Sequence, residues 1–557
     1  MRAVCLASLW FVLCNGAMSA LAQRSSPAPA ASPTPVEATQ DDVVRVRTNL
    51  VQVDAVVVDK DGHQVKDLNA SDFEILENRQ VRQADHCLYV SLVEQRPAGA
   101  NIGAPTPSTL TSGDLRRTFV FLVANPMINV HFASSNPDGS FSAGSYSLLR
   151  RAIRANEESA KLLGWFVDEK MGASDLAAIA STEINLGVLS SFTSAKEVLH
   201  AALAGIRDGL THQTVSPLIL FLPDMLQPLV LQNLSVIETA SKAITQIQSL
   251  PGRKFLILVS RGMMYDPRIA GSDVVRAHLE QLIAQANKAH VTFYTLSSTG
   301  IGNYGGAHVA YESPRARARG GSGSSFSAAQ GLEDLDSLVH LANETGGRAI
   351  YNTNDMRVGF DTILEENRGY YLLAYNPGAE ATGRPHRIQV RVKRPGLHVR
   401  ARTEAYAPEG PDDRKPITAA ETFNTPLAVR DIKVTLNPTV VAVADSRQRV
   451  VTSLTVDMND VDARTKDADG QGYSLELMVR VTGPDGRLLQ DKGDAVTFHV
   501  KAGELAATLR DGLVSHFEFA ADKPGYYRIN LAVRDTVSGR VGSAIRFIEV
   551  PEAKARK

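Results

Sequence analysis

The chain has 557 residues, 44% of them hydrophobic and 21% charged, and a formal net charge of -1. That length exceeds one ordinary core and implies about two to four domains. The near-neutral balance excludes the electrostatic footprint of a nucleic-acid binder or of a protein drawn to an acidic membrane surface.

The first 22 residues read as a secretory signal peptide (1-22). Met1-Arg2 supplies a positive start, Ala3 to Val12 is apolar, and Ala20-Leu21-Ala22 is a small-x-small cleavage site. The apolar run breaks near Asn15-Gly16, too short to span a bilayer. Cleavage after Ala22 removes Arg2 and takes the charge from -1 to -2. Cys5 and Cys14 fall within the signal, so Cys87 alone remains and no intrachain disulfide is expected. Cys14 follows the large Leu13, which argues against a lipid anchor. No other run of about 20 apolar residues occurs, so no transmembrane segment is expected after cleavage. The expected destination is periplasmic or extracellular.

Residues 23-43 form a Pro/Ala/Ser-rich stretch that reads as a disordered linker. Residues 44-97 alternate in period two, with Val51, Val53 and Val57 before a turn at Asp61-Gly62, and predict a small N-terminal β unit. From 115 to 377 strands alternate with helices. Strands are expected at Phe119 to Val123, Leu176 to Ala180, Lys254 to Val259, Val291 to Leu296, Arg348 to Tyr351 and Tyr370 to Ala374. Ile184 to Leu189 is expected to pair with Leu176 to Ala180 as an edge hairpin. Helices are expected at Ser145 to Phe166, Ser194 to Ile206, Ser235 to Ser249, Ser272 to Lys288, Leu332 to Asn343 and Met356 to Glu366. Repeated βα units of this length predict an α/β doubly wound, mainly parallel sheet. Within it, 302-330 is Gly/Ser-rich with Arg315, Arg317 and Arg319, and reads as a mobile insertion. Residues 385-406 predict a β-hairpin extension turned at Pro395-Gly396, and 407-425 a further linker. Residues 426-557 carry strand-length alternations separated by turns, which predicts a C-terminal immunoglobulin-like β-sandwich without the Cys-Trp-Cys signature.

Several segments together resemble the von Willebrand factor type A domain, and more closely the bacterial "VWFA-related" secreted proteins. They are "RTNLVQVDAVVVDKDGHQVKDLNASDFEILEN", "PGRKFLILVSRGM", "VTFYTLSSTG", "LANETGGRAIYNTNDM", "YYLLAYNPG" and "RIQVRVKRPGLHVRAR". The resemblance covers roughly Val44 to Tyr406. It implies a sheet whose carboxyl edge carries a metal-ion-dependent adhesion site, with oxygen ligands from Asp-x-Ser-x-Ser, a later threonine and an aspartate after the central strand. Here the first aspartate falls on Ala124 or, with a slip of one, Asn125. The serines become Pro126 and Ile128, and the last aspartate becomes Arg261. Thr211 or Thr214 could stand for the threonine. The adhesion site is therefore degenerate: no metal ligand is carried over and no cofactor is expected. A divalent cation would need a displaced site, for which Asn136, Asp138 and Ser140 are candidates, although Asn-Pro-Asp-Gly reads more simply as a turn.

Other chemistry is thinly represented. Asp59 and Asp61 resemble the start of a calcium loop but read better as turn residues, and Asp457 to Gly470 as a solvated acidic loop. "PGRK" precedes a strand and is no phosphate loop, and Ser260 lacks a nucleophile elbow. Cys87 lacks a recognisable base partner. No catalytic residue is assigned, and an enzyme is not expected. The reading is an exported, adhesion-type protein-interaction module. An unknown protein partner would be bound through Asn125, Asn136, Thr211, Thr214 and Arg261, with Arg261 pairing directly to a partner carboxylate. The alternatives are a non-binding structural scaffold of the cell envelope and an unrecognised hydrolase.

Overall fold

The computed structural model describes residues 50–92, 110–124, 143–182, 184–209, 226–267, 271–298, 335–353, 355–377, 385–406, 418–442 and 448–552. Four strands open the chain: β1 (Val51–Val58), β2 (Phe73–Glu77), β3 (Gln80–Arg82) and β4 (His86–Ser91). The α/β unit follows as β5 (Arg117–Ala124), α1 (Ala143–Trp165), β6 (Asp175–Ser181), α2 (Lys196–Gly209), α3 (Leu226–Ile247), β7 (Arg253–Ser260), α4 (Ser272–Lys288), β8 (Val291–Ser297), α5 (335–344), β9 (Ala349–Ile350) and α6 (Met356–Glu366).

The five strands of this unit lie in the order β6-β5-β7-β8-β9, every pair parallel. Alternation explains why β5 and β7 read as unbroken apolar runs. Val120, Leu122, Leu256 and Leu258 enter one core with α3, α4 and α5, while Phe119, Phe121, Phe255 and Ile257 enter a second with α1, α2 and α6. A strand covered on both faces has no solvent side to make polar. Phe166 centres the second core, with ring centroids 4.8 Å from Phe119, 5.0 Å from Phe121 and 5.6 Å from Phe360. It opens a five-residue π turn, Phe166–Lys170, that continues α1.

The hairpin expected at Ile184 to Leu189 is not formed. Gly187–Ser190 is a 3-10 turn, and Ala177 bridges Thr193 instead. Gly187 has φ +55°, and a Cβ there would lie 2.1 Å from the Pro484 carbonyl, which receives the Val188 N–H at 3.3 Å. A tertiary contact, not strand pairing, shapes this segment.

Strands β10 (Gly369–Tyr375), β11 (Pro385–Val392), β12 (His398–Ala401) and β13 (Glu404–Tyr406) correct two further expectations. β10, read as the last strand of the doubly wound unit, pairs antiparallel with β1 and β4. The segment 385–406 is not a simple hairpin: β11 pairs with β2 and β13, whereas β12 pairs with β1. The result is two antiparallel sheets, β12-β1-β10-β4 and β13-β11-β2-β3, sharing a core of Val51, Val53, Phe73, Ile75, Tyr371 and Ile388. Residues on both sides of the α/β unit thus build one β module, and the α/β unit is inserted between β4 and β10.

Of the linker expected over 407–425, residues 407–417 lie outside the described residues and 418–425 take a definite structure. Glu421–Asn424 is a 3-10 turn, and Phe423 is buried beneath the Arg480 guanidinium at 4.8 Å. The C-terminal strands are β14 (Val434–Ala442), β15 (Gln448–Val456), β16 (Thr465–Lys466), β17 (Gly470–Thr482) and β18 (Leu488–Lys501). They continue after helix α7 (Ala502–Asp511) with β19 (Leu513–Ala521), β20 (Gly525–Asp535) and β21 (Val541–Val550). One sheet runs β14-β15-β19; the other runs β16-β17-β20-β21, with β18 also on β17, and both sheets contribute to one core. Among the described residues no helix is long and apolar enough to cross a membrane.

Candidate functional site at the carboxyl edge of the parallel sheet

In an open parallel sheet, ligands meet the loops beyond the carboxyl ends of the strands. Here β5, β6, β7 and β8 end on Ala124, Ser181, Ser260 and Ser297. Ala124, Ser260 and Ser297 are buried. The ends are tied laterally by backbone bonds: Thr182 N–H donates to the Val123 carbonyl at 3.3 Å, and Ser298 N–H to the Ser260 carbonyl at 3.0 Å.

The segment after β7 is pinned across this edge. The Ser260 hydroxyl accepts the Gly262 N–H at 3.2 Å, and Gly262 sits at φ +114°, in the left-handed half of the map that favours glycine. Ser337 on α5 then accepts the Met263 N–H at 2.9 Å, and Asn233 on α3 accepts the Met264 N–H at 3.1 Å. Two helices therefore hold a turn whose backbone would otherwise be buried without partners. Arg261, half-buried, lies at its start, and buried Asp266 toward its end. The Ser298 hydroxyl oxygen is buried without a hydrogen-bond partner among the described residues.

Of the residues expected to bind a partner, Arg261 is placed at this edge. Asn125, Asn136, Thr211 and Thr214 lie outside the described residues, as do Asp138, Ser140 and the 302–330 insertion. Sequence reasoning missed Asn233 and Ser337. Each looks like an ordinary polar residue on a helix, and its partner is a backbone N–H about 30 or more residues away, which no local pattern records.

Among the described residues, the group of carboxylates and histidines close enough to share an ion is elsewhere: Asp59, Asp61 and His63, with ligand atoms within 4.8 Å. It lies in the turn after β1, where Asp59 Oδ1 accepts the N–H groups of Asp61 and His63, each at 2.9 Å. Those bonds account for the acidic pair as turn chemistry. The acidic loop 457–470 is similar. Asp457 accepts the Asn459 N–H at 3.0 Å, and Asp467 accepts those of Asp469 and Gly470 at 3.0 and 2.9 Å. Burial first, and then the Asp72 carboxylate, push the Cys87 thiol up, the direction of an unreactive cysteine.

No protein-family profile matches the chain, and no curated protein matches it. Solved structures that match part of it include Bacteroides uniformis β-glucuronidase 2 covalently bound to cyclophellitol-6-carboxylate aziridine, at 11% identity, with a TM-score of 0.15. That match covers 32% of this chain and 19% of the other. A second is Bacteroides uniformis β-glucuronidase, at 14% identity and TM-score 0.13, covering 34% of this chain and 19% of the other. The chain thus spans about a fifth of the length of these structures, and at such scores neither likeness bears on fold or activity.

Proposed function

We propose that the chain is an exported protein-interaction module of the von Willebrand factor type A kind, related to the bacterial VWFA-related secreted proteins. In this reading the α/β unit is the type A domain, and a partner protein docks at the carboxyl edge without a metal ion. The observation that carries the reading is the content of that edge. β5 ends on Ala124 where adhesion relatives place the first aspartate, and Arg261 follows β7 where they place the last. A guanidinium has five donors in a fixed fork, so Arg261 can keep its contacts within the fold and still meet a carboxylate presented by a partner. The parallel sheet with helices on both faces supports this reading, as does the fastening of the turn that carries Arg261 by α3 and α5.

The test uses the full chain immobilised against cell-envelope proteins, with crosslinks mapped by mass spectrometry. Crosslinks at 124–136, 211–214 and 261–266, lost in Arg261→Glu, are the expected result. Identical capture by wild type and Arg261→Glu, with crosslinks only on the β modules, would sink it in favour of a scaffold. Calorimetric binding of magnesium at this edge would remove the metal-free part.

A further inference from the structure

At the opposite edge of the parallel sheet, charge is packed against the β module. Arg253 and Lys254 open β7, Asp54 comes from β1, Arg400 from β12, Arg402 from just beyond it, and His290 precedes β8. Arg253 Nη1 donates to Asp54 Oδ2 at 2.7 Å, and its guanidinium lies over the Tyr370 ring at 4.8 Å. Lys254 Nζ donates to the carbonyls of Gln248 and Leu250 at 3.0 and 3.1 Å. Arg400 reaches Glu366, which is fully buried and also meets Arg348 at 2.8 Å. Arg402 is 7% exposed and donates to the carbonyls of Asn287, at 3.3 Å, and Gln52. Its Nε is buried without a hydrogen-bond partner among the described residues.

The charges do not balance. Among the described residues, Asp54 and Glu366 face the largely buried Arg253, Lys254, Arg400 and Arg402, and Glu366 also meets the more exposed Arg348. The nearby Glu344, whose carboxylate accepts the Thr403 hydroxyl at 2.5 Å, still leaves cations in excess. Burial dominates the titration of the neighbouring groups. It pushes His290 down, with Arg402, to about 3, so it is neutral, and brings Lys254, against the pull of Asp54 and with smaller help from Arg402 and Arg253, to about 8. Between these groups lies a cavity of about 10 Å³, lined by Asp54, Arg253, Asn287, His290, Arg400 and Arg402, about the room that one water needs. A water would satisfy the Arg402 Nε–H and leave the charge uncompensated; a small anion does both. Uncompensated buried charge is among the most costly features a fold can carry.

We propose that this seam binds one small monovalent anion, chloride in ordinary saline, held by the Arg402 and Arg253 guanidiniums and joining the N-terminal β module to the base of the parallel sheet.

The test is thermal unfolding of the full chain in sodium chloride against sodium gluconate at equal ionic strength. The expected result is a higher Tm in chloride, saturating with concentration. Crystals soaked in bromide should show an anomalous peak within hydrogen-bond reach of Arg402 Nε. Arg402→Gln should abolish the chloride dependence. If that variant does not fold, Asn287→Asp, which places a covalent negative charge on the cavity wall, should give a Tm indifferent to chloride. Equal Tm values in the two salts and no bromide peak would overturn the proposal, as would a chloride gain that persists in Asn287→Asp.

Discussion

The parallel sheet is built from opposite materials at its two ends. At the base, β7 begins on Arg253-Lys254, and an ion pair to Asp54 at 2.7 Å, an Arg402 guanidinium and a Glu366 carboxylate are buried between two modules. At the carboxyl end the strands stop on Ala124, Ser181, Ser260 and Ser297, and the crossing turn is held by neutral hydrogen bonds that its backbone donates to Ser337 and Asn233. The comparison separates two ways of fixing a surface. Buried charge is intolerant: each group demands its partner, so the base is locked to one neighbour. Neutral hydroxyl and amide anchors cost little to rearrange and fix backbone without fixing what approaches it.

The largest expected effect is at the base. Asp54→Ala removes the carboxylate from a pair whose side chains are 17% and 7% exposed and should destabilise the chain by about 3–5 kcal/mol, read by urea unfolding. A loss below about 1 kcal/mol would show that solvent reaches this seam after all.

Next is a pH dependence with a defined sign. Lys254 has a folded pKa of about 8, below its ordinary 10.5, because burial penalises its charge. Below pH 8 both states hold the proton and the penalty is fully felt. Between pH 8 and 10.5 the unfolded chain binds more protons, so stability rises, by about 1–3 kcal/mol in total. Tyr294, with its pKa raised mainly by burial, works in the opposite direction at the alkaline end, so the quantity to measure is wild type minus Lys254→Met. A flat difference between pH 7 and 10 would refute the buried cation.

Smaller effects belong to the carboxyl end. Ser337→Ala leaves the Met263 N–H buried without its acceptor and should cost about 1–2 kcal/mol, with amide exchange accelerated at Met263 and Met264. Arg261→Glu, at a half-buried residue with contacts in the fold, should cost about 1 kcal/mol while removing partner capture. If Arg261→Glu instead unfolds the protein and Asp54→Ala does not, the contrast between the two ends is reversed.

Much of the α/β unit was legible. Continuous apolar runs marked β5 and β7, because strands covered on both faces have no solvent side to make polar. Period and end signals placed α4 and α6 at Ser272–Lys288 and Met356–Glu366, the ranges observed. The candidate site was less legible. Ala124 and Arg261 could be placed from the strands that precede them, whereas Ser337 and Asn233 act on backbone groups remote in sequence. The base seam was not legible because Arg253-Lys254 reads locally as the basic start of a strand, and only burial makes it unusual.

By itself the sequence determined where most strands and helices of the central unit lie, since side-chain period records how many faces of an element are covered. But it started α3 at Ser235 where the helix begins at Leu226, and read a strand at Ile184 to Leu189 where Gly187–Ser190 is a 3-10 turn. It did not determine which strands meet. Tyr370 to Ala374 reads as a strand under any partner, yet it leaves the adjacent parallel sheet for β1, some 300 residues earlier, and the turn at Pro395-Gly396 sends β11 and β12 into different sheets. Pairing partners and the net charge of a buried seam are sums over residues far apart in the chain. Only the tertiary structure brings the terms of those sums together.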